Sequence, residues 1–168
     1  EAEVLRDTIL TVAGELNPAL AGPGYEDFTT FSRNSQFYQP VDAIGQSFHR
    51  RSLYRTWVRS GRNRFLDVFD CPDPSTKTPR RAVTTTPLQA LALLNNSFVL
   101  RMADRLADRL QREAGDDPKQ QVERAYVLAY GRSATPDERR LTTRFVKQHG
   151  LPAFCRVIFN SNEFLHVD

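Results

Sequence analysis

Three times in its second half the sequence sets a capping side chain directly before a proline: Thr86-Pro87, Asp117-Pro118 and Thr135-Pro136. Proline has no backbone N–H and a fixed φ, so a helix tolerates it only at its opening, where that N–H would be unpaired anyway. The preceding Thr or Asp oxygen accepts from another of the free N–H groups. Thr135-Pro136-Asp137-Glu138 adds the glutamate that completes a capping box. A chain punctuated in this way is committed to helices. The first is expected from Thr86 as cap through "PLQALALLNNSFVLRMADRLADRLQREA" to Gly115, with Leu88, Leu91, Phe98, Met102, Leu106 and Leu110 as its apolar stripe. Asp104, Arg105, Asp108, Arg109 and Arg112 cover the outer face in pairs worth only ~0.2–0.5 kcal/mol each. A second helix runs from Pro118 to Gly131 and a third from Pro136 to Gly150. A last, very apolar one spans Leu151 to about Asn160, ahead of the tail "SNEFLHVD". Asn95 and Asn96 interrupt the stripe as a polar pair that would bond a neighbouring loop. The expectation for 86–168 is a small helical bundle.

The first half reads differently. "EAEVLRDTILTVAGELN" puts Val4, Leu5, Thr8, Ile9 and Val12 on one helical face, stopped by Gly14 or Asn17-Pro18. Residues 18–47 carry Gly and Pro punctuation and scattered aromatics without a period, which predicts a long loop or short strands and turns. "RRSLYRTWV" suits a strand or a short helix equally. "FLDVFDCPDPSTKTPRRAVTT" reads as loop, because Pro72, Pro74 and Pro79 forbid a long regular element. The fold class is therefore mainly α: an irregular arm with one helix at 1–85 and the bundle at 86–168, within a single domain.

Charge is concentrated in one place. The chain carries 23 basic and 20 acidic residues, a net +3. "FHRRSLYRTWVRSGRNRF" alone holds Arg50, Arg51, Arg55, Arg59, Arg62 and Arg64; without them the balance is 17 against 20, or −3. The interleaved Phe48, Tyr54, Trp57 and Phe65 make this segment either a nucleic-acid platform of aromatics beside a basic track, or a packed buttress whose arginines meet carboxylates. Phe48, Leu53, Trp57 and Phe65 are what a packed segment needs, and Arg50-Arg51 and Arg80-Arg81 could pair with the acidic loop between them. The buttress is the expectation. No apolar run approaches the ~18 residues of a membrane span. The sequence opens at Glu1 without an initiator Met or signal peptide, which suggests a C-terminal fragment of a larger protein.

Four phrases, "RRSLYRTWVRS", "FLDVFDCPDPS", "RRAVTTTPLQALALLNNSFV" and "AYVLAYGRSATPDE", stand in an order and spacing that resembles a known family. It is the conserved C-terminal domain of large planctomycete proteins of unknown function, the planctomycete-specific domain family of the first type, found downstream of cytochrome-c-like domains. The likeness runs from roughly Glu1 to Phe164. It implies an exported, periplasmic or envelope-associated multidomain setting, with haem-binding domains elsewhere. This chain has no C-x-x-C-H, so no covalent c-type haem attaches here, and no cofactor is expected in it.

The candidate residues each have a plain alternative. Arg80 and Arg81 precede the helix opening at Thr85 and Thr86, where free N–H groups can hold an anion, or simply cap a helix. Asp67, Asp70 and Asp73 stand three apart in a loop that could hold Ca²⁺, but lack the EF-hand pattern and suit turn capping or arginine pairing. Cys71 could serve as a nucleophile with His49 or His149 as base, although neighbouring aspartates would raise its pKa. Cys71 and Cys155 could form one disulfide in an oxidising compartment. No zinc motif, P-loop or dinucleotide fingerprint is present. The function expected is a non-catalytic module that docks with sister domains of the same polypeptide, or with an envelope partner, through Arg50, Arg51, Arg55, Arg59, Arg80 and Arg81. The runner-up is a carbohydrate-active accessory or hydrolytic module using Asp67, Asp70 and Asp73 on polysaccharide. Nucleic-acid binding through the 50–64 arginine stretch comes third.

Overall fold

The computed structural model describes residues 1–166; Val167 and Asp168, the end of the tail read above, lie outside the described residues. The fold is mainly α, with one two-stranded sheet among the described residues. The chain gathers into two compact units: Glu1–Leu10 with Glu15–Ala92, and Thr11–Gly14 with the chain from Leu93 onward.

The second unit contains the bundle. Helices α4 (Ser97–Ala114), α5 (Pro118–Tyr130), α6 (Pro136–His149) and α7 (Leu151–Phe159) close a ring, α4 packing on α5, α5 on α6, α6 on α7 and α7 back on α4. Val99, Met102, Leu106 and Leu110 of α4 face Val122, Phe154, Cys155, Ile158 and Phe159, and all of these are essentially inaccessible to water. Each such aliphatic side chain contributes roughly 1.5–3 kcal/mol on burial. The caps fall where the prolines place them: Asp117 accepts from Lys119 N, and Thr135 and Glu138 form the reciprocal capping box. Arg109 donates from Nη1 to the carbonyls of Thr11 (3.1 Å) and Val12 (2.9 Å), a cation at the C-terminal end of α1 (Ala2–Ala13). The segment read as tail forms a further short helix, α8 (Asn162–Leu165), capped by Ser161.

Several expectations are corrected. The helix expected from Pro87 to Gly115 is two helices, α3 (Pro87–Asn95) and α4, because Asn96 leaves the helical conformation and its side chain accepts from Phe98 N at 2.9 Å. Asn96 caps a new helix instead of bonding a loop, the role asparagine fills best, while Asn95 accepts from Arg156 of α7. Leu88 and Leu91 are accordingly exposed, at 60% and 55%, while Gln89 and Leu93 turn inward. On α1 Ile9 and Val12 are buried as expected, together with Ala2, Arg6, Leu10 and Ala13, but Val4 is exposed. The period is helical but is centred on a buried arginine, which a hydrophobicity count rotates away from.

In the first unit, residues 18–47 contain a tight hairpin, β1 (Phe28–Arg33) against β2 (Ser35–Pro40), with Phe31 opposite Phe37. "SLY" forms a single turn of 3-10 helix at Ser52–Tyr54. The stretch expected as loop after Asn63 begins with a short helix, α2 (Arg64–Val68), whose cap is Asn63 accepting from Phe65 N and Leu66 N. Phe65 and Leu66 are buried, but Leu53 and Trp57 are exposed and are not the packing residues they were expected to be.

Candidate functional site

The arginine-rich segment is held in place by backbone contacts and by other charged side chains. At Gly24 a Cβ would stand 2.7 Å from the Tyr54 carbonyl oxygen, so only glycine admits this crossing. There Tyr25 N donates to Tyr54 O at 3.0 Å and Thr56 N to Tyr25 O at 2.8 Å. From α1, the buried Arg6 donates to the carbonyls of Phe48 and Arg50 and to Ser52 Oγ. Arg55 donates through Nε to both oxygens of Asp27 at 2.9 Å and through Nη2 to the Gly61 carbonyl. Both members of that pair are under 5% exposed, and Asn63 donates to Asp27 Oδ2 at 2.6 Å. Arg50 lies over the Tyr54 ring at 3.9 Å and donates to the carbonyls of Ala19, Ala21 and Pro23.

These contacts shape a groove of about 570 Å³ in the same unit. Asp7 is its hinge point: Oδ1 accepts from Ser52 N (2.8 Å) and Ser52 Oγ (2.7 Å). Fixing Ser52 inward on a single 3-10 turn sends its neighbour Leu53 outward, to 72% exposure. Trp57, 40% exposed, has the Arg55 guanidinium on its ring at 4.7 Å. Val4, Leu53, Trp57, Pro72 and Pro74 form the apolar part of the lining. Glu1, Glu3, Asp7, Arg51, Asp73 and Arg81 form the charged part.

Most of these charges already have partners. Arg81 Nη1 donates to Glu3 Oε2 at 2.8 Å, and Arg51 Nε stands 3.8 Å from Asp7 Oδ2. Burial works to raise the Glu3 carboxyl, but the hydrogen bond from Arg81 and contacts with its own backbone outweigh it and leave it below the usual range. Asp73 is lowered by the Ser75 N–H and hydroxyl. Cys71, 3.7 Å from Glu3 Oε1, is pushed up to about 12, first by burial and then by the Glu3 charge. At neutral pH it is a thiol, the wrong form for a nucleophile. The histidines considered as its base are engaged elsewhere: His49 Nδ1 lies 3.1 Å from Glu15 Oε2, and His149 packs on Phe145. Cys71 and Cys155 are both free thiols.

Of the charged and nucleophilic candidates singled out from the sequence, the structure brings Arg51, Cys71, Asp73 and Arg81 into the groove lining, and the other candidate site residues lie apart from it. Arg50 and Arg55 are structural, whereas Arg59, Arg80 and Thr85 are exposed outside the lining. Thr86 caps α3 reciprocally with Gln89. The three aspartates do not converge. Asp67 pairs with Arg62 at 3.1 Å, Asp70 accepts from Thr84 N and Oγ1, and Asp73 accepts from Ser75 N. Among the described residues no group of three or more His, Cys, Asp or Glu could hold a metal ion. Nor do Arg51 and Arg81 pair with the acidic loop; their acids are Asp7, Glu3 and Glu1, on and beside α1. Glu3 and Asp7 were missed, although their i,i+4 spacing on the first helix marks them as one face.

Among the described residues no helix is long and apolar enough to cross a membrane. No curated protein and no solved structure matches the chain. The family model described as "PSD1: Protein of unknown function (DUF1553)" matches residues 1–146, and the chain belongs to that family.

Proposed function

We propose that the chain is a non-catalytic binding module whose groove docks a sister domain of the same polypeptide or a polymer of the cell envelope. The observation that carries this reading is the combination in the groove of exposed apolar surface at Leu53 and Trp57 with charges already matched by Arg81–Glu3 and Arg51–Asp7. A fixed, half-apolar concavity suits recognition. Proton transfer needs a group poised near working pH, and here the Glu3 and Asp73 carboxyls are held low and the Cys71 thiol high. The exported, multidomain setting that the sequence resemblance implies is part of this reading.

Hydrolysis by the Asp67, Asp70 and Asp73 loop is the competing reading, and only the raised Asp67, its charge disfavoured by burial, favours it. The test is to incubate the chain with soluble envelope-type polysaccharides and with chromogenic glycosides and esters. Retention on the immobilised polymer or on a sister domain, with no new reducing ends and no chromophore released, is the expected result. Turnover that disappears in Asp67→Asn overturns it.

A further inference from the structure

The groove has an electrostatic character opposite to that of the chain. Its lining carries four carboxylate side chains, Glu1, Glu3, Asp7 and Asp73, against two guanidiniums, Arg51 and Arg81, while the chain as a whole is +3. An anionic ligand, nucleic acid included, would meet a net negative lining. A wholly apolar ligand would strip water from six charged side chains, which is costly without replacement hydrogen bonds. What remains is a ligand with apolar faces and many neutral hydroxyls, or a basic peptide.

Trp57 separates those two. One face of its ring carries the Arg55 guanidinium at 4.7 Å, and that cation is itself buried and clamped by Asp27. The ring's negative quadrupole is already engaged there, so a second cation gains little from the same π system. An aliphatic C–H face, which needs only contact and weak polarisation, loses nothing by it. In the same lining, Arg51 and Arg81 are half-exposed, at 51% and 40%; Arg81 donates to Glu3 at 2.8 Å and Arg51 stands 3.8 Å from Asp7. A guanidinium has five donors and a carboxylate about four acceptor sites, so each pair retains capacity for neighbouring hydroxyls. Thr76 and Thr78 add two more hydroxyls to the lining.

We infer that the groove takes an uncharged carbohydrate, a pyranose ring stacking on the exposed face of Trp57 while the Arg51–Asp7 and Arg81–Glu3 pairs bond its hydroxyls. The inference rests on the groove being the binding site, and it names the ligand class. Trp57 is the chain's sole tryptophan, so its emission reports the groove directly.

The chain is titrated separately with neutral cello- and chito-oligosaccharides and with a lysine-rich peptide, at low and at high salt. At least one oligosaccharide gives a saturable emission change whose affinity varies by less than about twofold with salt, as expected for an uncharged ligand. By calorimetry, Trp57→Ala weakens it on the order of tenfold or more. Trp57→Phe restores part, and Arg59→Ala, outside the lining, changes nothing. Leu53→Ser, at an exposed rim position, gives a second weakened variant should Trp57→Ala fold poorly. Binding of the peptide alone, lost in salt, overturns the carbohydrate and leaves the groove as a docking site. Silence from every oligosaccharide and from the peptide overturns both. Release of reducing ends keeps the carbohydrate and removes the non-catalytic reading.

Discussion

The α4–α7 bundle and the arginine segment from Arg50 to Arg64 stabilise themselves by opposite means. The bundle excludes water with side chains of one kind: Leu106, Leu110, Phe154 and Phe159 are at 0–2% exposure, and its arginines lie outside in pairs such as Arg105–Asp108, both about 57% exposed. The arginine segment has few large apolar side chains to bury. It buries its own Arg55 instead and receives Arg6 from α1, each satisfied by carbonyls or a carboxylate. An apolar core tolerates imprecision, because dispersion and burial are non-directional. A buried guanidinium does not, because each donor needs an acceptor at the right distance. The difference teaches where a binding site can be built: precision already imposed on one side of a segment also positions the side chains on its other side.

The comparison can be broken first at Asp27. Asp27→Ala leaves Arg55 buried without its carboxylate, and such losses cost about 3–5 kcal/mol. In urea, Trp57 emission should report the transition at much lower concentration while the helical ellipticity of the bundle persists; coincident transitions would mean that the two regions do not stand independently. Leu106→Ala is the counterpart in the bundle, where the cavity costs about 2–5 kcal/mol. Its loss should appear in ellipticity, with Trp57 emission the less affected probe. Thr135→Ala removes half of the capping box and about 1 kcal/mol with it, read as a small fall in the bundle midpoint. The smallest effect is one of pH. Hydrogen bonds from Arg132, then from Thr135, lower Glu138 from the usual 4.5 to about 2. A depressed carboxyl adds stability above its unfolded value, and that stability is lost as pH falls through the folded value. Bundle stability should therefore decline between about pH 4.5 and 2, and Glu138→Gln should flatten that decline.

How much of this could be read from the sequence follows the same division. Caps and prolines act within three or four residues of themselves, so α5, α6 and α7 were legible to within a residue of their ends. Asn96 was legible as an interruption but not as a cap, because an asparagine inside an apolar run shows that the pattern stops without showing that a new helix starts. The arginine segment was legible only as a buttress. Which carboxylate each arginine meets depends on residues dozens of positions away, as Asp27 is from Arg55 and Glu3 from Arg81. The groove was least legible. Leu53 and Trp57 look like core in any hydrophobicity reading, yet both are exposed, and the inward anchoring of Ser52 on Asp7 turns Leu53 outward.

Arg6 sets an order of events. Its guanidinium is bonded to acceptors on Phe48 and Arg50, 42 and 44 residues further along the chain. Closing so long a loop costs entropy before any contact repays it, whereas in the bundle α4–α5, α5–α6 and α6–α7 pack helices consecutive in sequence and can form first, leaving only α7 on α4 to close over a comparable span. During synthesis the first helix emerges with a charged side chain on its inner face and nothing for it to grasp until the fifties have followed. The early part of the chain thus matures late, and stopped-flow refolding should show Trp57 emission trailing the helical signal. A region that closes around a cation still seeking its oxygens should leave the groove unformed until that step.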